Sequence, residues 1–319
     1  MKTLQIQQYG GEEQLQMVEI PKPKAGKGQV VVRIVATTFN PFDFKLASGA
    51  MKQMAPLQFP FVPGVDFSGV VDAVGEGVME LRAGDEVFGD PGMGGTYAEY
   101  IAVSAGQVAL KPKKLSHIEA ASLALAAQTA IQMVDRANLQ KGQTVLIQGA
   151  SGAVGSIAVQ IAQHRGARVI ATGTRESAQR LKQYGADVVV DYKTQRFEDH
   201  ARNVDAVLDA VGGEVLERSF AVLKPGGVLV AITQPPSEDL AKKHEVKASM
   251  LVTQSSSECL RRIAELADAG HIKPFIGKVY PLSEVRNAWQ EARAGRVEGK
   301  IVLQVAADTT RAAAASEQR

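Results

Sequence analysis

The sequence predicts an α/β chain in which a doubly wound parallel sheet is joined to a second, irregular β-barrel-like domain. Three observations predict it. Through the middle of the chain, apolar strand-length runs alternate with helix-length segments, the pattern of a parallel sheet covered on both faces. Ahead of that stretch, short β-branched runs are broken by Gly and Pro. One central strand, Thr144–Gln148, passes through a small-residue turn into a helix, the local plan of a dinucleotide site.

The bulk composition narrows the functional classes. A chain of 319 residues is long enough for two cores. With 36 basic and 34 acidic residues the formal charge is +2, so no electrostatic footprint for nucleic acid is present. The Lys-rich stretches 22–27 and 111–114 read as solvated turns. The only cysteine, Cys259, cannot form an intrachain disulfide, and it reads as structural. Met1-Lys2-Thr3-Leu4-Gln5-Ile6 lacks the apolar run of a signal peptide, and no stretch reaches the roughly eighteen apolar residues of a membrane span. A cytoplasmic protein with neither a nucleic-acid nor a membrane partner is expected.

Along the chain, Val30–Ala36 reads as a strand introduced by Gly26-Lys27-Gly28, and 62–74 as an extended segment. Arg82–Phe88 reads as a turn feeding a strand, and Thr96–Val103 as another strand. The style changes at Ser116-His117-Ile118-Glu119, a capping box that opens an Ala-rich helix to about Asn138. After Thr144–Gln148, a helix carries Val154, Ile157, Ala158, Ile161 and Ala162 on one face and closes at Gly166. Strands are expected at Arg168–Thr172, Val188–Asp191, Ala206–Asp209 and Val228–Ile232. From about His271 the early style returns, with strands at Val279–Pro281 and Lys300–Val305 around a helical Ser283–Ala294. The chain therefore re-enters its first domain, giving residues 1–122 with 271–319 as one domain and 123–270 as the other. The Ala-rich tail after Val305 reads as a loose terminus.

The strongest signal is Val145-Leu146-Ile147-Gln148-Gly149-Ala150-Ser151-Gly152-Ala153-Val154-Gly155. Small residues let the backbone approach a pyrophosphate, while the helix N-terminus offers free N–H groups and a positive dipole end. The match to the dinucleotide fingerprint is imperfect, because its first glycine falls on Ala150. NAD selectivity usually rests on an acidic residue at the tip of the second strand. Here that tip reads Ala171-Thr172-Gly173-Thr174-Arg175, with no carboxylate and a guanidinium suited to a 2′-phosphate. NADPH is the expected cofactor, although Glu176 can pair with Arg175 or face the ribose instead.

A series of further segments points to one family. They are Asn40-Pro41-Phe42-Asp43, the run 62–71, Gly84–Gly89, Gly95–Tyr100, Gln128-Thr129-Ala130, the Gly149–Gly155 turn, Gly185-Ala186-Asp187, Leu223–Gly227 and Gly299–Leu303. In this order and spacing the chain resembles the zinc-independent medium-chain dehydrogenase/reductases of the quinone oxidoreductase (zeta-crystallin-like) type. The resemblance implies a GroES-like domain from both chain ends, a central Rossmann domain and a cleft between them. It implies that Asn40 and Thr129 approach the nicotinamide ribose, and that Ser151, Gly152, Ala153 and Val154 line the pyrophosphate. By the same resemblance Tyr192 joins Arg175, Thr172 and Thr174 near the adenine ribose phosphate, and Val211 and Ile232 lie along the nicotinamide half. A homodimer through the sheet edge near Met250–Thr253 is implied as well.

Zinc-dependent relatives place Cys where this chain has Asn40 and His where it has Val65, and no metal site is expected. The five histidines are scattered, and Ser68 and Ser151 have no evident base beside them. Hydride transfer to a quinone or enone needs mainly positioning and a donor at the developing oxyanion. Lys45 is the candidate donor, since Asn-Pro-Phe-Asp-Phe-Lys resembles the Asn-Pro-x-Asp-x-Lys of enone and quinone reductases. The competing reading is a surface lysine paired with Asp43 or a Glu. Phe44, Met51, Met54, Phe59 and Phe61 read either as an apolar lip for a planar substrate or as core and loop contacts. The reading is thus an NADPH-dependent reductase of quinones or α,β-unsaturated carbonyls. Reduction of an alkenal or enoyl thioester, and a non-catalytic NADPH-binding sensor or structural protein, remain as alternatives.

Overall fold

The computed structural model describes residues 1–308. The chain divides into two compact units. The first holds Met1–Leu125, Ser255–Ala269 and the described residues from Ile276 onward, and the second holds Ala126–Gln254 with Gly270–Phe275.

In the first unit β1 (Lys2–Gln5) pairs antiparallel with β2 (Gln16–Glu19). The long central strand is β3 (Gln29–Phe39), whose β-branched residues suit a pleated surface buried on both faces. A short helix, α1 (Pro41–Ala47), follows at once, with Pro41 in its first turn, where a missing N–H costs nothing. Then come β4 (Phe67–Val74), β5 (Glu86–Gly89), β6 (Tyr100–Ser104) and β7 (Val108–Leu110). Within the extended segment 62–74 the strand itself begins at Phe67, because Pro63 and Gly64, with Gly64 at φ +91°, hold the chain off the ladder.

The helix α2 (His117–Arg136) carries the chain from the first unit into the second. Its capping box forms as read: the Ser116 N–H donates to Glu119 Oε2 at 2.9 Å, and the Glu119 N–H donates to Ser116 Oγ at 3.3 Å.

The second unit contains β8 (Thr144–Gln148), α3 (Ala153–His164), β9 (Arg168–Gly173), α4 (Ala178–Gln183) and β10 (Val188–Asp191). It continues with β11 (Val204–Asp209), α5 (Gly213–Ser219), β12 (Leu223–Ala231), α6 (Glu238–Lys243) and β13 (Lys247–Met250). Its six strands are all parallel, in the order β10-β9-β8-β11-β12-β13. That is a doubly wound sheet, and the strand order reverses between β8 and β11, where such sheets bind ligands. The edge strand lies at 247–250, ahead of the 250–253 expected for it.

The helix α7 (Ser257–Asp268), the strand β14 (Ile276–Pro281), the helix α8 (Val285–Arg293) and the strand β15 (Lys300–Gln304) return the chain to the first unit. There the strands run β14-β15-β3-β4-β5-β7, with β6 pairing to β3. The expected division placed α7 in the nucleotide-binding segment 123–270. Its buried face of Leu260, Ile263 and Ala267 instead covers β5 and β7 in the first unit. Trp289 on α8 is fully buried and centres a cluster that includes Phe39, Tyr97, Leu303 and the edges of Phe44, Phe59 and Phe61. Those three rings are therefore core contacts, whereas Met54 is exposed.

Lys111, read as part of a solvated turn, is buried: Nζ donates to the carbonyls of Leu115 at 2.5 Å and Pro112 at 3.2 Å, and lies 3.4 Å from Glu86. Of the tail read as loose, residues 309–319 lie outside the described residues. No helix among the described residues is long and apolar enough to cross a membrane.

Candidate functional site

The second unit holds the glycine turn. β8 ends at Gln148, and Gly149 takes φ +71°, a left-handed conformation in which a side chain is strained. Its N–H donates to Thr172 Oγ1 at 3.1 Å, the Ala150 N–H donates to the Thr172 carbonyl at 2.9 Å, and the Thr172 hydroxyl donates to Gln148 Oε1 at 2.8 Å. Thr172 was expected to face the cofactor. It is buried and clamps the turn, because both of its oxygens are committed to β8 and the two residues after it. Gly152 then caps α3 with no side chain to spend on the first turn, which leaves the N–H groups of Ala153 and Val154 without a capping side chain. A Cβ on Gly155 would lie 2.4 Å from the Gly149 carbonyl oxygen, so the helix can approach the turn this closely only with glycine there.

This cradle fits a dinucleotide. Val211 is half exposed beside it, with Cγ2 3.0 Å from where a Cβ on Gly149 would stand. Asp209 holds the loop that carries Val211: its Oδ1 accepts from the N–H of Val211 at 3.1 Å and of Gly212 at 2.7 Å. Ile232 donates its N–H to the Asp209 carbonyl at 3.1 Å. The sequence reading missed Asp209, whose pKa burial pushes up. Thr129 is buried on α2, with its hydroxyl 2.8 Å from that of Thr253.

At the neighbouring strand ends, Tyr192 donates its N–H to the Gly173 carbonyl at 3.2 Å, which sets it beside Thr174 and Arg175. Arg175 is exposed, and Tyr192 is 59% exposed, so both aromatic face and guanidinium are available to a ligand. Glu176 does not pair with Arg175 among the described ion pairs; hydrogen bonding to its own backbone N–H, and then to Thr174, holds its carboxyl below the usual range. Ser151, Gly152, Arg175 and Tyr192 are thus gathered at one end of one sheet, as the motif order suggested.

The first unit holds Asn40 and Lys45. Asn40 is buried, and its side chain is fully engaged. Nδ2 donates to Asp66 Oδ2 at 2.8 Å and to Thr38 Oγ1 at 3.3 Å, while Oδ1 accepts from Lys300 Nζ. Asp66 Oδ2 also accepts from Thr38 Oγ1 at 2.5 Å and from Lys300 at 3.0 Å, and Asp66 Oδ1 accepts from the Leu125 N–H at 2.5 Å. Lys300 and Asp66 form a buried ion pair. Both stand inside segments that the sequence reading used only as family markers. Opposite charges in two separate apolar motifs were the signal available for pairing them.

Asp43 closes the start of α1: its Oδ2 accepts the Asn40 N–H at 2.7 Å, and Oδ1 has no partner. Burial, with the charge of Asp66 adding to it, pushes the Asp43 carboxyl up to about 7. Burial also pushes Asp90 up to about 7. Lys45 projects from the other side of α1, exposed, and it does not pair with Asp43. Ser68 does have a base beside it, contrary to the sequence reading: its Oγ lies 2.8 Å from His117 Nδ1, and His117 Nε2 lies 3.3 Å from Glu86.

A metal ion needs three or four converging ligands. In the segment where zinc-dependent relatives supply them, Asn40 and Asp66 already surround the Lys300 ammonium, and a second cation would meet its charge. Among the described residues no group of three or more His, Cys, Asp or Glu could hold a metal. The residues present do not fit one.

A parallel doubly wound sheet with a glycine cradle, joined to a β-rich unit made from both chain ends, defines a two-domain dinucleotide-dependent oxidoreductase. The comparisons name the family. The alcohol dehydrogenase GroES-like domain matches residues 26–113, and the zinc-binding dehydrogenase family matches residues 184–303. The chain is 36% identical over 320 aligned positions to the 2-methylene-furan-3-one reductase of Solanum lycopersicum, covering 95% of this chain and 79% of that protein. It is 32% identical over 320 positions, with the same two coverages of 95% and 79%, to the chloroplastic NADPH-dependent alkenal/one oxidoreductase of Arabidopsis thaliana. The quinone oxidoreductase structure from Coxiella burnetii matches with a TM-score of 0.88 at 32% identity, covering 96% of this chain and 99% of that one. The chain belongs to the medium-chain dehydrogenase/reductase family and groups with its quinone oxidoreductase and alkenal/one reductase members.

Proposed function

We propose that the protein is an NADPH-dependent reductase that passes hydride to a quinone or an α,β-unsaturated carbonyl compound without a metal. The observation that carries this reading is the glycine cradle between β8 and α3, with Arg175 and Tyr192 exposed at the adjoining strand ends. The names of the related reductases support the acceptor class. NADPH, when bound, would supply the hydride. Ser151, Gly152, Ala153 and Val154 would hold its pyrophosphate, and Val211 and Ile232 its nicotinamide half.

An acceptor of this class gains two electrons with one hydrogen and develops negative charge on oxygen, which a nearby cation stabilises. Lys45 is assigned that role, because it is exposed and its ammonium is uncommitted to Asp43. Asn40 is assigned a positioning role at the start of α1, where its engaged side chain fixes the backbone that carries Lys45. The edge strand β13 has one paired neighbour within its sheet, and it supports a homodimer built across that edge. A single cysteine suits a reducing compartment such as the cytoplasm.

The test is the loss of nicotinamide absorbance, NADPH against NADH, with a simple quinone and an enal in parallel. Turnover with either acceptor is expected, faster with NADPH. Tight NADPH binding without turnover of any acceptor would instead make the protein a non-catalytic binder. Lys45→Ala should lower kcat about 10- to 100-fold while leaving NADPH affinity unchanged. Full activity of that variant with both acceptors would remove Lys45 from the chemistry.

A further inference from the structure

A carboxylate taken out of water is costly unless a cation or several donors meet it. The first unit follows that rule at Asp66, which is buried but lies 3.0 Å from the Lys300 ammonium. Asp209 in the second unit does not follow it. It is 0% exposed, its Oδ1 accepts the N–H groups of Val211 at 3.1 Å and Gly212 at 2.7 Å, and its Oδ2 has no partner. Among the described residues no cation pairs with it. Burial raises its pKa, and the two N–H groups oppose the rise.

The place of this charge in the sheet is specific. Asp209 is the last residue of β11 and stands opposite Gln148, the last residue of β8, in the parallel pairing of the two strands. The glycine cradle begins one residue past the first of these strand ends, and the Val211 loop one residue past the other. The two segments touch: the Ala210 N–H donates to the Gln148 carbonyl at 3.3 Å, and Val211 Cγ2 stands 3.0 Å from where a Cβ on Gly149 would lie. The strand order reverses between β8 and β11, so the uncompensated carboxylate adjoins the crevice where a doubly wound sheet takes its ligand.

We infer that Asp209 is a buried counter-charge for the nicotinamide ring: its carboxylate favours the oxidised, cationic ring over the reduced, neutral one, and so assists the departure of hydride. The inference rests on the dinucleotide reading above and goes beyond it, because it gives an electrostatic role in the reaction to a residue outside the cradle. Hydride transfer from a bound reduced nicotinamide moves both electrons of the broken C–H bond into a new bond on the acceptor, which becomes an anion and takes up a proton from water, and the ring is left with one positive charge. That charge develops only as the transition state is reached. A negative charge fixed nearby, at low dielectric, stabilises it without reorganisation. The two N–H bonds to Oδ1 hold the carboxylate in place beforehand. A lysine beside Asp209, like Lys300 beside Asp66, would cancel this field, which accounts for a buried carboxylate kept without a cation.

The test is calorimetric titration of the full-length protein with NADPH, NADP⁺, NADH, NAD⁺ and 2′,5′-ADP, using the wild type, Asp209→Asn and Asp209→Ser. Both variants remove the charge and keep an oxygen that can accept from the Val211 and Gly212 N–H groups. Each should weaken the oxidised dinucleotide about 10-fold relative to the reduced one, the order expected for unit charges about 10 Å apart at an effective dielectric of about 20. Affinity for 2′,5′-ADP, which lacks the nicotinamide, should change less than about 2-fold, and this also reports that the variants are folded. Turnover should fall by up to about 10-fold with a quinone and an enal alike. A residue that only holds the loop would weaken oxidised and reduced forms equally. An unchanged ratio of oxidised to reduced affinity in both variants therefore overturns the inference while leaving the dinucleotide reading intact. Failure of the wild type to bind any of the dinucleotides overturns both.

Discussion

Thr38, Asn40, Asp66 and Lys300 in the first unit and Ser151, Arg175, Tyr192 and Lys193 in the second are both polar clusters, yet one is shut inside its unit and the other lies open. In the first, each charged or amide group is bonded to another member, and none of the four is more than 6% exposed, so polarity there shapes the fold. In the second, the hydrogen bonds that close the turns come from buried Thr172 and Ser177, and the side chains of Arg175, Tyr192 and Lys193 are left exposed. The difference teaches that a polar residue in a family motif is not thereby a contact to a ligand. Its hydrogen-bond account decides which it is.

Breaking the closed cluster should give the largest effect. Lys300→Met leaves Asp66 buried without its cation, and breaking one side of a buried pair costs about 3–5 kcal/mol. Thermal or urea unfolding should show that loss, and the double variant Lys300→Met/Asp66→Leu should recover much of it. A single variant as stable as wild type would mean that the pair is not formed in solution.

The next effect sharpens the same cluster through pH. Asp43 is raised from 3.8 to about 7 in the folded chain, so the native state holds a proton that the unfolded state releases. Its stabilising contribution is fully present below about pH 4 and is lost as pH rises through about 7, by at most about 1.4 kcal/mol per pH unit. Asp90 acts in the same direction. His117 acts in the opposite one: burial lowers its pKa, so its contribution is present above 6.5 and lost as pH falls. Asp43→Asn keeps an acceptor for the Asn40 N–H, and should make Tm fall less steeply between pH 4 and 7. A constant Tm difference between variant and wild type across that range would show that Asp43 is ionised throughout.

The open cluster is probed at its cradle. Gly155→Ala places a methyl 2.4 Å from the Gly149 carbonyl oxygen, and overpacking of this kind costs about 1–3 kcal/mol. The turn must shift, so dinucleotide affinity should drop at least about tenfold with unchanged circular dichroism. Retained affinity would mean that the cradle is not where the pyrophosphate sits.

Much of this was legible in the sequence, and the parts that were not share a cause. Thr144–Gln148 and Val188–Asp191 read as strands because periodicity and β-branching are local, and the helix opened by Ser116 is written in its capping box. The glycine turn was legible because strand, small residues and helix are contiguous. Lys300 and Asp66 were not, since 234 residues separate them and only the antiparallel pairing of β15 and β4 with β3 brings them together. Lys111 misled for the same reason: Lys113 and Lys114 follow it closely in sequence, whereas its partner Glu86 lies on an adjoining strand. Long-range pairing hides the roles of charged residues more than those of apolar ones.

The smallest effect concerns Ser68, His117 and Glu86, whose composition matches a nucleophile, a base and an orienting carboxylate. The surroundings argue otherwise. The Ser68 hydroxyl has the Val87 carbonyl at 2.9 Å as an acceptor besides His117 Nδ1 at 2.8 Å, so its proton is not held by the base alone. Both side chains are buried, His117 at 2% exposure, so no acyl group could reach the oxygen. The chain of bonds ties the start of α2 to β4 and β5 instead. Ser68→Ala should cost about 1 kcal/mol, the price of leaving a buried imidazole nitrogen without its partner, and it should leave reductase turnover and its pH profile unchanged. Loss of turnover in a variant that still unfolds at the wild-type temperature would give Ser68 a chemical role.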